Sequence, residues 1–86
     1  MTREDNIRKE VLLQLYAVRP LALSVERIAR DARKNDYDYS ATEIKRELQF
    51  LADEGLVVSL DEAGTTAQLH RINSKGIRAY EQKYAA

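Results

Sequence analysis

The sequence predicts an α+β fold that is mostly α, in which three helices precede a β-hairpin and a fourth helix follows it. Two observations predict this order. Apolar residues recur at helical spacing in four segments, and between the third and fourth segments their spacing changes to a period of two. Only three glycines and one proline interrupt the 86 residues, and 44% of them are hydrophobic. We therefore expect a single domain over residues 1–86 with one modest core.

The first two helices are marked by capping residues. Thr2 and Asp5 form a capping-box pattern ahead of a helix at about residues 3–18. Ser24 is a good N-cap for a second helix at about residues 25–34, and a short extended piece lies before it. The apolar side chains that recur along the first helix are Ile7, Val11, Leu12, Leu15 and Val18.

The third helix has the clearest start in the chain. Ser40 and Glu43 stand three residues apart, as in a full capping box, and Tyr39 occupies the position of the apolar staple before them. Gly55 fits a helix stop in which a glycine takes the left-handed conformation. The pattern predicts a helix over about residues 41–54.

A β-hairpin and a last helix complete the chain. Alternating apolar residues predict a hairpin at about residues 56–72, with Asp61 and Glu62 in its turn. Asn73 then caps a helix predicted at about residues 74–84.

Two segments resemble a known family. Residues 44–57, IKRELQFLADEGLV, resemble the recognition helix and exit turn of bacterial winged-helix regulators, with the ArsR-like, MarR-like and PadR-like repressors closest in pattern. Residues 71–77, RINSKGI, resemble the family's second wing strand running into a capped helix. The resemblance covers about residues 7–84 and implies a winged helix-turn-helix fold whose hairpin is the wing. It also implies a transcriptional regulator, bacterial or carried by a phage or other bacterial element, that docks its third helix in the major groove of double-stranded DNA.

The outer face of the third helix carries the candidate base-reading residues. At about 100° per residue these side chains point away from the apolar stripe, and their types can hydrogen-bond base edges. Cations on one face of the second helix are placed to lie across phosphates. The same residues also fit an ordinary solvated surface. The candidate DNA-binding residues are Arg27, Arg30, Lys34, Ser40, Thr42, Lys45, Arg46 and Gln49.

The charge balance argues against DNA. The chain has formal net charge zero, and residues 24–55 contain six basic and eight acidic residues. Asp36 and Asp38 flank the turn before the third helix, and Asp61 and Glu62 stand where wings of the family often carry Arg or Lys. We expect weak binding at physiological salt unless a dimer or partner adds contacts. The alternative is a winged-helix module that binds a protein and no DNA.

Aromatic residues leave a further choice open. Tyr16 on the first helix, with Tyr80 and Tyr84 on the last, fit either a homodimer or partner contact or the packing of the two terminal helices within one chain. Phe50 lies off the centre of the apolar stripe, which fits a contact with a partner, whereas the family pattern implies a semi-buried residue packed beneath the wing.

Other functions lack the residues they need. There is no cysteine, and His70 is the only histidine, so we expect neither a metal nor a cofactor and read His70 as a plain strand residue. No glycine-rich phosphate loop and no nucleophile with a nearby base is present, which predicts a protein that is not an enzyme. The charged N-terminus and the lack of a long apolar run predict no membrane association and a cytoplasmic location.

Overall fold

The computed structural model describes residues 1–61, 63–65 and 67–84. Its elements are, in chain order, α1 (Arg3–Val18), α2 (Val25–Lys34), α3 (Ala41–Asp53), β1 (Val57–Asp61), β2 (Gln68–Ile72) and α4 (Ser74–Lys83). The predicted α+β, mostly α fold is confirmed. Helices α3 and α4 each end one residue before the predicted bound, and β1 begins one residue after it. Glu62, predicted in the turn of the hairpin, lies outside the described residues.

Side chains cap every helix at its start. At α3 the Ser40 hydroxyl accepts a hydrogen bond from the Glu43 backbone N–H at 3.1 Å, and the Glu43 carboxylate accepts one from the Ser40 N–H at 3.1 Å. Both bonds of the predicted capping box are therefore present, and they satisfy two donors that a bare helix end would leave unpaired. The capping residues of the four helices are Thr2, Ser24, Ser40 and Asn73.

The end of α3 directs the chain into the hairpin. Gly55 has a φ of 77°, a conformation that glycine adopts without steric cost. Its N–H donates to the Ala52 carbonyl, and the Leu56 N–H donates to the Leu51 carbonyl at 2.9 Å. This is the predicted Schellman stop, and it turns the chain sharply enough for β1 to begin at Val57.

The hairpin is anchored at its base to the segment between α1 and α2. Strands β1 and β2 pair antiparallel, from Val57 opposite Ile72 to Asp61 opposite Gln68. Leu23 adds an isolated bridge to His70, with both backbone hydrogen bonds at 2.8 Å. The extended piece predicted before α2 therefore fixes the position of the wing relative to the helices.

The core lies between the helices and the inner side of the hairpin. Helix α4 starts so close to the chain leaving α3 that any side chain at Gly76 would overlap the Leu56 carbonyl oxygen. In the described part of the chain, no helix combines the length and the apolar character needed to cross a membrane. The largest fully buried side chains are Ile7, Val11, Leu15, Ile28 and Ile44.

Candidate nucleic-acid interface

The outer face of α3 carries the four residues predicted to read bases and one acid. They are Thr42, Lys45, Arg46 and Gln49, with Asp53 at the end of the helix, and all five are exposed. Their spacing of three and four residues places them on one side of the helix, opposite the buried side chains of Ile44, Leu48 and Leu51. The sequence prediction of which α3 residues face solvent is confirmed.

The cations of this face are free to act on a ligand. Within the described residues, neither Lys45 nor Arg46 makes an ion pair or a side-chain hydrogen bond. Gln49 is engaged, since its amide nitrogen donates to the Asp53 carboxylate at 2.9 Å. Its carbonyl oxygen can still accept a hydrogen bond while that contact persists.

The opposite edge of α3 carries a carboxylate that α1 neutralises. The Arg3 guanidinium donates to the two oxygens of Glu43 at 2.7 and 3.1 Å, and to the Asp38 carbonyl at 2.9 Å. The hydrogen bond from Arg3, followed by the one from the Ser40 N–H, holds the pKa of Glu43 at about 2, well below its usual 4.5. Glu43 is therefore ionised and occupied, and it faces away from Lys45.

A second pair lies one helical turn further along. Arg8 donates to Glu47 at 2.7 Å, and the Glu47 side chain is only 3% exposed. Arg8 also lies 3.2 Å from Asp5, and its guanidinium stacks 3.7 Å from the centre of the Phe50 ring. Phe50 is 40% exposed, which agrees with the expected semi-buried position, and the Arg8 guanidinium covers one face of its ring. Its packing beneath the wing stays a prediction.

These two pairs change the charge that a ligand of α3 meets. Of the eight acidic residues counted over residues 24–55, Glu43 and Glu47 are neutralised by arginines that precede the counted segment. Without these two, six acidic residues stand against six basic ones over residues 24–55, so the excess of acid counted from the sequence disappears.

The basic face of α2 is partly self-neutralised. Arg27 lies 3.2 Å from Asp31 and Lys34 lies 3.6 Å from the same carboxylate. Both cations are more than half exposed, so these contacts are weak and solvent-screened. Arg30 is exposed and has no ion pair among the residues that the structure describes.

A cleft of about 480 Å³ separates the start of α3 from the wing. We call it the α3–wing cleft. Helix α2 contributes Glu26, helix α3 contributes Thr42 and Lys45, and strand β2 contributes Gln68 and His70. Of these five, sequence reasoning selected Thr42 and Lys45 as site residues and read His70 as a plain strand residue. It missed Glu26 and Gln68, because nothing local indicates that α2 and β2 meet there.

His70 forms part of the wall of this cleft and is otherwise built into the wing. Its side chain is 6% exposed, and its Nδ1 lies 2.9 Å from the Ser59 hydroxyl on the neighbouring strand. Burial lowers the pKa of the imidazole below its usual 6.5, and Glu26 acts in the opposite direction. In the described ranges no three side chains of His, Asp or Glu come together as a metal site would require.

The turn before α3 exposes two carboxylates and one aromatic ring. Asp36, with a φ of 64°, and Asp38 are both exposed. Tyr37 stacks on Tyr39 with their ring centres 5.2 Å apart, and Tyr39 is buried. Tyr39 is thus the predicted staple, and Tyr37 is a surface ring beside the start of the candidate interface.

The three tyrosines of the terminal helices meet within one chain. The ring centres of Tyr16 and Tyr80 are 4.6 Å apart, and those of Tyr80 and Tyr84 are 5.8 Å apart. The Tyr16 hydroxyl donates to Glu81 at 2.8 Å. Packing between α1 and α4 therefore accounts for these residues, and Tyr80, only 8% exposed, has little surface left for a second subunit.

Comparisons by sequence return nothing for this chain: no family model matches it, and no curated protein matches it significantly. Solved structures do match. A MepR mutant from a multidrug-resistant Staphylococcus aureus clinical isolate superposes with a TM-score of 0.77 at 20% identity, over 94% of this chain and 56% of that one. The S. aureus MepR–DNA complex matches with a TM-score of 0.74 at 20% identity, over 95% and 60%. An apo-form mutant of Lactococcus lactis ZitR matches with a TM-score of 0.73 at 14% identity, over 92% and 55%.

These matches establish the fold. The chain has a winged helix-turn-helix fold, as the sequence resemblance predicted. It spans between about half and three-fifths of the length of the solved structures that it matches.

Proposed function

We propose that this chain is a DNA-binding transcriptional regulator that docks the outer face of α3 in the major groove of double-stranded DNA. The observation that carries the proposal is the division of charge around α3. Lys45 and Arg46 are exposed and unpaired within the described residues, while the carboxylates of Glu43 and Glu47 are held by α1. A helix divided in this way offers cations and hydrogen-bond donors to a polyanion and keeps two of its acids away from it.

Each residue of the outer face has a chemistry suited to a base edge. Arg46 can donate two parallel hydrogen bonds to guanine, and Lys45 can reach the same acceptors or a phosphate. Thr42 can contact either a base or a thymine methyl group, and Gln49 can pair with adenine once Asp53 releases its amide.

Phosphate contacts fall to α2 and to the start of α3. Arg27, Arg30 and Lys34 lie on the exposed side of α2, the helix that crosses the backbone in helix-turn-helix docking. Ser40 stands at the N-terminus of α3, where a hydroxyl and the helix dipole both favour a phosphate oxygen. A similar fold has been solved in complex with DNA, in S. aureus MepR, which supports DNA as the proposed ligand of the present chain.

The test is a fluorescence-anisotropy titration of a labelled mixed-sequence duplex at several salt concentrations. We compare the wild type with the double variant Arg27→Glu plus Lys45→Glu. The control, Lys9→Glu plus Lys83→Glu, makes the same change in net charge at exposed positions of α1 and α4. We expect affinity to fall steeply with salt, because phosphate contacts release counterions, and to be lost in the first variant alone.

Two outcomes contradict the proposal. Equal loss in both double variants would show that only net charge matters and that the outer face of α3 is not the docking surface. No binding by the folded wild type at about 50 mM salt, where phosphate contacts are strong, would favour the protein-interaction module instead.

A further inference from the structure

The α3–wing cleft is lined by one cation and one anion that come from different helices. Lys45 projects from α3, and Glu26 projects from the first turn of α2. Glu26 is exposed and forms no ion pair or side-chain hydrogen bond among the described residues. The remaining polar side chains of the cleft are Thr42, Gln68 and His70. The first two are neutral, and burial lowers the pKa of the His70 imidazole, which favours its neutral form, so the charges of Glu26 and Lys45 balance.

Docking of α3 places a DNA strand near this cleft. A helix seated in the major groove has the sugar-phosphate backbone along both its sides, and the wing flanks α3 on the side of Thr42 and Lys45. The backbone that borders the groove on that side must therefore pass the mouth of the cleft. This step rests on the proposed function.

We propose that Glu26 is a built-in limit on DNA affinity: its unpaired carboxylate lines the same α3–wing cleft as Lys45 and repels the phosphates that Lys45 attracts. A like charge close to a bound charge lowers affinity, and it does so most where neighbouring walls exclude part of the solvent. The carboxylate acts across the cleft as far as strand β2, since it opposes the effect of burial on the pKa of His70.

Glu26 also has a structural role, and the experiment must separate the two. An acid in the first turn of a helix interacts favourably with the helix dipole. Glu4 occupies the equivalent first-turn position of α1, is equally exposed, and lines neither the cleft nor α3. Changing either residue to glutamine removes one negative charge and one dipole interaction, so Glu4→Gln is a matched control.

The experiment measures the affinity of the full chain for one labelled duplex at about 50 and 200 mM salt with the wild type, Glu26→Gln and Glu4→Gln. We expect Glu26→Gln to bind roughly three- to tenfold more tightly than Glu4→Gln at the lower salt, and the gap to narrow at the higher salt as screening increases. Denaturation of both variants checks that their stabilities change alike.

The combined variant Glu26→Gln plus Lys45→Gln sharpens the result. If Glu26 acts on the phosphates that Lys45 binds, part of the gain from Glu26→Gln is lost when Lys45 is also changed. Equal affinities for Glu26→Gln and Glu4→Gln, with clear binding by the wild type, would overturn this inference and leave the proposed function standing. Absence of binding by all variants would overturn the proposed function, and the role of Glu26 with it.

Discussion

The inner and outer sides of α3 carry charges of opposite sign, and only those on the inner side are paired within the described residues. On the side that faces α1, two glutamates each lie 2.7 Å from an arginine; the pairs are Arg3 with Glu43 and Arg8 with Glu47. On the outer side Lys45 and Arg46 have no such partner within the described ranges. The comparison teaches that a count of charges along a segment does not give the charge that a ligand meets, because an element distant in sequence can neutralise one side of a helix and leave the other unchanged.

The largest expected effect is a loss of stability on breaking the Arg8–Glu47 pair, the more buried of the two pairs on the inner side of α3. Arg8→Met leaves the Glu47 carboxylate, 3% exposed, without its cation. Removing one partner of a buried ion pair is strongly destabilising because the remaining charge is uncompensated, and since Arg8 itself is partly exposed we expect a loss of about 2 to 4 kcal/mol in the free energy of unfolding. Urea denaturation followed by circular dichroism measures it.

The control for this prediction replaces both partners. Arg8→Met combined with Glu47→Leu removes the uncompensated charge and fills its place with an apolar side chain, so most of the lost stability should return. If the double variant is as unstable as Arg8→Met alone, the loss comes from the stacking of Arg8 on Phe50 and not from the ion pair.

The next largest effect is on DNA affinity and tests the outer side of α3. Arg46→Ala should weaken DNA binding by about 1 to 3 kcal/mol, as expected for an arginine that contacts a base, and should change the free energy of unfolding by less than about 0.5 kcal/mol. Anisotropy titration and urea denaturation provide the two measurements. Arg78→Ala, at an exposed position of α4, removes the same charge and serves as control. Equal weakening by the two variants would exclude Arg46 from the interface.

The sequence was a good guide wherever structure depends on neighbouring residues. The capping box of Ser40 and Glu43 and the left-handed stop at Gly55 gave the bounds of α3 to within one residue. Such signals are readable because the hydrogen bonds they predict connect residues three to five positions apart.

The candidate interface was harder to predict, because it depends on contacts between residues that are far apart in the sequence. The Arg3–Glu43 and Arg8–Glu47 hydrogen bonds join residues 40 and 39 positions apart. The presence of Glu26 and Lys45 in one cleft likewise follows from the packing of α2, α3 and β2 around it. The stacking of Arg8 on Phe50 was missed for the same reason, since that arginine comes from α1.

The dependence of stability on pH tests the Arg3–Glu43 pair, the more exposed of the two pairs on the inner side of α3. The pKa of Glu43 is about 2 in the folded chain, against a usual 4.5, so its ionised form contributes stability at any pH above about 4.5. That contribution is lost as the pH falls from 4.5 towards 2, because the unfolded chain takes up the proton first. Glu43→Gln has no such proton to bind. We therefore expect the urea midpoint of the wild type to fall more between about pH 5 and pH 3 than that of Glu43→Gln.

The comparison for this prediction is Glu4→Gln, which keeps the Arg3–Glu43 pair and should therefore keep most of the fall that the wild type shows between about pH 5 and pH 3. Parallel pH profiles for the wild type and Glu43→Gln would mean that Arg3 does not stabilise the charged form of Glu43 in solution.

The smallest expected effect is on DNA binding by the cations of α2. These cations are intermediate between the paired inner side and the unpaired outer side of α3. They are exposed like Lys45, but Arg27 and Lys34 share the carboxylate of Asp31 at 3.2 and 3.6 Å. Because exposed pairs are weak and screened by salt, Asp31→Asn should strengthen DNA binding by less than about threefold at low salt and hardly at all at high salt, relative to Glu4→Gln. Weaker binding by Asp31→Asn would reverse the interpretation: the carboxylate would then be holding Arg27 in a productive position, and α2 would depend on an acidic partner for its geometry much as α3 depends on α1.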